Sequence, residues 1–140
     1  MSNMEDGGFA RALFEAWNGR DTAKILSFYS EEYVGEESSS PGEVYGHEAV
    51  RQLTNRFFDA FPDLEIKLVD EVSNAERLAV YWRADGHHRG QILNIPPTGK
   101  PVVVKGISFL WVENGKIVRA QHMWDLAGML RHMGLLPKLT

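Results

Sequence analysis

The chain has 140 residues, of which 44% are hydrophobic and 24% charged, a composition typical of one globular domain spanning residues 1–140. It contains no cysteine, which excludes disulfides, thiolate metal ligands and a cysteine nucleophile. The net charge is −4 and Lys and Arg are scattered, which provides no basic stripe for nucleic acid and no membrane anchor. The acidic N-terminus and the lack of a long apolar run predict a cytoplasmic protein.

Three amphipathic helices are predicted in the first part of the chain. Asp21 caps the second of them, and Pro62 follows the third. Their apolar faces are formed by Phe9, Leu13, Ala16 and Trp17, by Ile25, Leu26 and Tyr29, and by Val50, Leu53, Phe57 and Phe61. A short strand is expected after the second helix. The segment 35–46, with Glu36, Glu37 and three serines, is interpreted as a solvated loop at the rim of a pocket.

The hydrophobic period then changes to two, which predicts four strands and a final helix. The strands cover 64–72, 78–88, 101–112 and 117–124, and the helix carries Leu126, Met129, Leu130 and Met133 on one side. Short turns between consecutive strands imply an antiparallel sheet, and helices grouped at the start imply an α+β fold. A curved antiparallel sheet wrapped against the N-terminal helices leaves a cone whose open mouth suits a small-molecule pocket.

Polar residues interrupt the apolar inner faces of three strands. His88, Ser108 and His122 each lie in phase with apolar neighbours. Buried polar groups need partners or a wet cavity, and a histidine there can act as acid and base near neutral pH. The alternative is a hydrogen-bonded core histidine. Asp125 stands just before the last helix, as its N-cap or as a partner of His122.

The spacing of the histidines argues against a metal centre. His87 and His88 are neighbours on a strand and point to opposite faces, and no other pair has the spacing of two ligands on one face. A serine hydrolase is disfavoured because no Gly-x-Ser-x-Gly motif is present. Phe109 and Trp111 are expected to point away from the pocket, into outer packing or a subunit interface.

Four segments carry a resemblance to a known family: AFPDLEIKL (60–68), GHHRGQILNIPPTGK (86–100), ISFLWVENGKI (107–117) and WDLAGMLRHMGLLP (124–137). In this order they resemble the SnoaL-like polyketide cyclases, also called ester cyclases, of the nuclear-transport-factor-2-like superfamily. The resemblance covers nearly the whole chain. It implies a cone-shaped α+β barrel without a cofactor that forms a homodimer or higher homo-oligomer. Characterised members close polyketide rings by an intramolecular aldol reaction, in which an acid–base residue late in the last strand removes a proton α to a carbonyl.

The resemblance places that acid–base position on His122, where the characterised cyclases have an acidic residue. It places a second pocket histidine of those enzymes on Ser108, and it matches His88 and Asp125 to residues common in the broader family. It therefore predicts a lyase or isomerase type of enzyme acting on a hydrophobic carbonyl compound. The expected catalytic residues are His122, Asp125 and His88, and the expected substrate-binding residues are Ser108, Trp17, Trp82, Trp124 and Tyr33.

Two other functions stay open. The same fold can form a non-catalytic small-molecule-binding or dimerisation domain in which the histidines are structural. An epoxide-hydrolase-like enzyme would need a water-activating set of the Asp–Arg–Asp type, and few inward carboxylates are available for one. In each case the expected partners are a hydrophobic ligand and a second copy of the chain, without nucleic acid, membrane or metal.

Overall fold

The computed structural model describes residues 8–139, which contain four helices and six strands. The helices are α1 (Gly8–Asn18), α2 (Thr22–Leu26), α3 (Gly46–Ala60) and α4 (Leu126–His132). The strands are β1 (Tyr29–Glu37), β2 (Ser40–Tyr45), β3 (Glu65–Ser73), β4 (Arg77–His87), β5 (Pro101–Glu113) and β6 (Lys116–Trp124). None of the described helices has both the length and the apolar character needed to cross a bilayer.

The strands form one curved, unclosed sheet in the order β2-β1-β6-β5-β4-β3. Four of the neighbouring pairs are antiparallel, and three of these join the strands predicted between residues 64 and 124, but β1 and β6 run parallel. The sheet is therefore mixed, and β2 and β3 are its two free edges. The α+β class with N-terminal helices and a C-terminal helix is confirmed.

The segment 35–46 is a β-hairpin and not the loop that its composition predicted. β1 continues to Glu37 and turns directly into β2, which pairs with it antiparallel. All residues of β2 are exposed, and the strand begins with Ser40, Pro41 and Gly42. Such residues are depleted in strands, and an exposed strand shows no apolar alternation. The parallel pairing of β1 with β6 places Glu37 in register with His122.

The core lies between the inner face of the sheet and the helices. On β5 the buried residues alternate as predicted: Val102, Val104, Gly106, Ser108, Leu110 and Val112. One apolar cluster packs α1 and α2 against the sheet. A second cluster contains residues from the end of α3, from α4 and from the first part of β5. The indole of Trp82 packs against both clusters. The space where the two clusters meet is incompletely filled, and the candidate site lies there.

Candidate functional site

A cavity of about 90 Å³ separates the helices from the inner face of the sheet. One water needs roughly 10–15 Å³, so this space is several times larger than a single solvent site. Most of its wall is apolar: Leu13, Phe14, Trp17, Leu53, Phe57, Leu64, Ile66, Val80, Ala84 and Leu110. Among the described residues, four with acid–base or hydroxyl groups also reach it: Tyr29, Glu37, Ser108 and His122. A fitting ligand therefore has an apolar body and few polar groups.

Ser108 and His122 face each other across the antiparallel pair β5–β6, where they are in register. Alternation along each strand turns both side chains inward, as predicted for His122 from the segment 117–124. Ser108 Oγ lies 2.7 Å from His122 Nδ1. The indole N–H of Trp82 donates to the same Ser108 oxygen over 2.9 Å. The three side chains thus form a chain of hydrogen bonds that ends at the imidazole.

The indole of Trp82 reaches Ser108 because its cross-strand partner, Gly106, has no side chain. A Cβ at Gly106 would lie 2.4 Å from Trp82 Cζ2 and 2.9 Å from the carbonyl oxygen of Met123. The missing side chain gives the ring room against the backbone of β5. From there its Nε1 is directed at the next inward residue of β5, which is Ser108.

The imidazole of His122 is held neutral. The residue as a whole is only half-buried, but its Nε2 is shielded from solvent and makes no hydrogen bond within residues 8–139. Burial lowers the pKa of His122 from 6.5 to about 4, and the negative charge of Glu37 opposes this shift only in part. At neutral pH the ring therefore carries one proton and no charge.

Glu37 was predicted to lie in a solvated loop, but its carboxylate belongs to this site. It ends β1 beside His122, and its side chain is only 14% exposed. Arg56 Nη1 lies 3.0 Å from its Oε1, and the hydroxyl of Ser39 contacts the same oxygen. Glu37 lines the main cavity and also a smaller adjoining one, which His122 shares. The site therefore combines a neutral histidine with a paired carboxylate.

The structure brings most of the predicted substrate-binding residues to this place. Trp17, Trp82 and Trp124 form parts of the cavity wall together with Ser108. Tyr33 lines the smaller cavity, which shares Glu37, Leu53 and His122 with the main one. Trp124 resembles His122 in one respect, since its Nε1 is buried and has no hydrogen-bond partner among the described residues.

His88 and Asp125, both predicted to be catalytic, lie outside the two cavities. His88 directly follows β4 and is buried, as alternation predicts, but it packs beside Phe61 and not against the cavity. His88 is fully buried, its Nδ1 accepts the backbone N–H of Thr98 over 3.1 Å, and burial lowers its pKa. Asp125 caps α4, because its Oδ1 accepts the backbone N–H of Gly128 over 2.9 Å. The structure therefore brings neither side chain to His122.

The adjacent histidines point apart, as expected for neighbours at a strand end. His87 lies at the surface, where its Nδ1 is 2.6 Å from Asp63 Oδ2, whereas His88 is buried. Within residues 8–139 no group of three or more His, Asp or Glu side chains has the arrangement of a metal site.

Known proteins share this architecture. A family model for SnoaL-like polyketide cyclase matches residues 9–133. No curated protein matches the sequence. Among solved structures, AclR from Streptomyces galilaeus is similar with a TM-score of 0.86 and 24% identity, over 99% of this chain and 91% of that one.

Two further solved structures have the same fold. A SnoaL-like polyketide cyclase from Agrobacterium tumefaciens is 22% identical, with a TM-score of 0.79 over 96% of this chain and 100% of that one. A protein with a ketosteroid isomerase-like fold from Catenulispora acidiphila is 15% identical, with a TM-score of 0.76 over 91% of this chain and 93% of that one. At these identities the solved structures show the fold alone. The family model, which spans most of the sequence, shows that this chain belongs to the SnoaL-like polyketide cyclase family.

Proposed function

We propose that the protein is a cofactor-independent enzyme of the lyase or isomerase type that acts in the cytoplasm on a hydrophobic, polyketide-like carbonyl compound. The observation that carries this proposal is a neutral imidazole in the wall of an apolar cavity, bonded through Nδ1 and unpartnered at Nε2. Membership of the cyclase family supports the substrate class. The reaction class is removal of a proton α to a carbonyl, followed by ring closure or by return of the proton to another carbon.

Acid–base chemistry suits this site because its few polar groups are surrounded by apolar walls. Charge that develops on a substrate oxygen is stabilised strongly by a fixed donor where water is excluded. His122, with a pKa of about 4, stays neutral at cellular pH and can exchange a proton or donate a hydrogen bond. The carboxylate of Glu37 is negatively charged and can accept a proton.

Hydrogen–deuterium exchange on a simple ketone tests the proposal. We use 2-tetralone, whose body is apolar and bicyclic and whose protons α to the carbonyl are acidic. In deuterated water at pH 7 the wild-type protein should accelerate the exchange, followed by proton NMR. His122→Ala should lose about 100-fold or more of the acceleration, the usual contribution of an acid–base group.

The control for this assay is Gln121→Ala, since Gln121 is exposed on the same strand and points outward. It should match the wild type. Equal acceleration by His122→Ala and the wild type would contradict the proposal, and so would a wild-type protein that does not accelerate the exchange.

A second candidate is a non-catalytic domain that binds an apolar metabolite. The observation that favours it is the recessed position of the polar atoms, since both His122 Nε2 and Trp124 Nε1 are shielded from solvent. Binding of 2-tetralone without any exchange would support this candidate. An epoxide-hydrolase-like reaction is supported less well, because Glu37 is the sole carboxylate that lines the main cavity in the described part of the chain.

The outer face of the sheet supports a homodimer as the assembly. Tyr81, Ile107 and Met123 lie in one row across β4, β5 and β6, and they are 38%, 53% and 69% exposed. Beside this row, Phe109 stacks on Trp111 with ring centres 5.2 Å apart. Monomeric proteins rarely expose a contiguous apolar patch of this kind. We therefore place the dimer contact on this outer face.

A charge in the centre of this face should separate the dimer. We expect Ile107→Glu to convert the protein from dimer to monomer in size-exclusion chromatography with light scattering, because the new carboxylate would be buried without a partner. Leu135→Glu places the same charge at an exposed residue after α4 and should leave the dimer intact. A wild-type protein that is monomeric at high concentration would contradict this assembly.

A further inference from the structure

Two groups at the cavity could take a proton from a substrate carbon, His122 and Glu37. We infer that Glu37 is the base and that His122 donates a hydrogen bond to the substrate oxygen, because Trp82 and Ser108 hold its proton on Nε2. The chemical roles rest on the proposed function. The position of the proton does not, because it is a property of the unliganded protein.

Trp82 sets the direction of the hydrogen-bond chain. An indole N–H can only donate, so Ser108 Oγ is the acceptor over the 2.9 Å between them. The one hydroxyl proton of Ser108 is then available to His122 Nδ1, 2.7 Å away. A ring nitrogen that accepts a hydrogen bond carries no proton, so the proton of the neutral ring lies on Nε2.

The opposite tautomer is disfavoured by the same contacts. If His122 Nδ1 carried the proton, Ser108 Oγ would receive two donors and its own proton would need another acceptor. Ser108 is buried and makes no other side-chain hydrogen bond within residues 8–139. Protonation on Nδ1 would leave two buried groups unpaired, the Ser108 hydroxyl proton and the Nε2 electron pair. Protonation on Nε2 leaves only the Nε2–H unpaired, and because every unpaired buried group is costly, this tautomer is favoured.

A protonated Nε2 makes His122 a donor. This nitrogen is buried and unpartnered in the described part of the chain, and the residue lines both cavities. It has no free electron pair with which to take a proton from carbon. A carbonyl or enolate oxygen would supply the acceptor that Nε2 lacks in the unliganded protein.

Glu37 has the properties of a base at the same cavity. Its carboxylate is anchored through Oε1 by Arg56 and by the hydroxyl of Ser39. The other oxygen, Oε2, makes no hydrogen bond to any described residue. Because Glu37 and His122 are in register on the neighbouring strands β1 and β6, base and donor are side by side.

The resulting step balances without a further reactant. Glu37 Oε2 binds the proton of the carbon α to the carbonyl, and the electron pair of the C–H bond becomes the C=C bond of the enolate. The carbonyl π pair moves onto oxygen, which accepts the hydrogen bond from His122 Nε2. The enolate then takes the proton back at a conjugated carbon, or it attacks a second carbonyl carbon whose oxygen receives that proton. Either route returns Glu37 to its carboxylate form.

Long-range proton–nitrogen NMR spectra of the nitrogen-15-labelled, ligand-free protein at pH 7 measure the tautomer directly. The signals of His122 are assigned by their loss in His122→Gln. We expect a protonated Nε2 and an unprotonated Nδ1 in the wild type and in Ser108→Thr, which keeps a hydroxyl. Ser108→Ala and Trp82→Phe should each give a mixture of both tautomers. A wild-type protein with its proton on Nδ1 would overturn the inference.

Two isosteric variants separate base from donor in the exchange of 2-tetralone. Glu37→Gln keeps the shape of the side chain but removes the proton acceptor, and exchange should fall about 100-fold or more. His122→Gln keeps an N–H donor and should show a smaller loss than Glu37→Gln. The opposite order, with His122→Gln inactive and Glu37→Gln at the wild-type rate, would show that His122 is the base.

The two assays distinguish the failure of the inference from the failure of the proposed function. A wild-type protein that does not accelerate exchange removes the proposed function, while the NMR spectra still decide the tautomer. Thermal unfolding checks that each variant folds. If Glu37→Gln does not fold, Glu37→Asp keeps the charge for Arg56 but withdraws the carboxylate, and it should still lower the exchange rate.

Discussion

Acidification from pH 7 to pH 4 is expected to lower the free energy of unfolding by about 3 kcal/mol through His122 alone. The pKa of this ring is 6.5 when exposed to water and about 4 in the fold, because burial disfavours the charged form. Between these two values the unfolded chain binds more protons than the folded protein. The contribution to stability is therefore fully present above pH 6.5 and is lost as the pH falls toward 4.

Urea denaturation at several pH values between 7 and 4 measures this effect as a difference between variants. His122→Gln should show a flatter dependence of the unfolding free energy on pH than the wild type. Gln121→Ala, which changes an exposed residue of the same strand and removes no titratable group, should keep the wild-type slope. Part of the slope remains in both variants because burial also lowers the pKa of His88. A His122→Gln protein with the wild-type slope would mean that the ring is not shifted by burial.

The positions of Ser108 and His122 could be predicted because strand alternation is a local property. Each residue lies in a long strand, and the direction of a side chain depends only on its place in the alternation. The hydrogen bond between them does not follow from the Asn114-Gly115 turn alone, because the register of β5 and β6 shifts by one residue between Val112 and Trp111, and only this irregularity places His122 opposite Ser108. Alternation also predicts that His88 is buried, but it does not predict that His88 packs beside Phe61 and Thr98, outside the cavity.

The role of Glu37 could not be predicted because it depends on pairing between distant segments. β1 is the parallel neighbour of β6 in the sheet, although α3 and four other strands separate the two in sequence. A weak local signal does exist. Tyr33 and Gly35 are buried and in phase with Glu37, so the alternation continues into the segment that was interpreted as a loop. Glu36 and the three serines that follow Glu37 obscure this pattern.

Gly106→Ala is expected to destabilise the protein by about 1–3 kcal/mol and to displace Trp82 from Ser108. The new Cβ would stand 2.4 Å from the indole ring, a separation that real side chains do not reach, so the ring has to move. Urea denaturation measures the loss of stability, and the NMR signals of His122 should then show the mixed tautomers expected for Trp82→Phe. Gly19→Ala is the control, since the nearest atom to its Cβ is 3.4 Å away and nothing has to move.

A double-mutant cycle with Trp82→Leu identifies the cause of this destabilisation. Without the indole, Gly106→Ala should cost clearly less, because the closest contact has been removed and residues in contact are not additive. Some cost should remain, since the carbonyl oxygen of Met123 would still be 2.9 Å from the new Cβ. An equal cost in both backgrounds would attribute the strain to the backbone of β6. It would also mean that the absence of a side chain at residue 106 is not what positions Trp82, and through it the proton of His122.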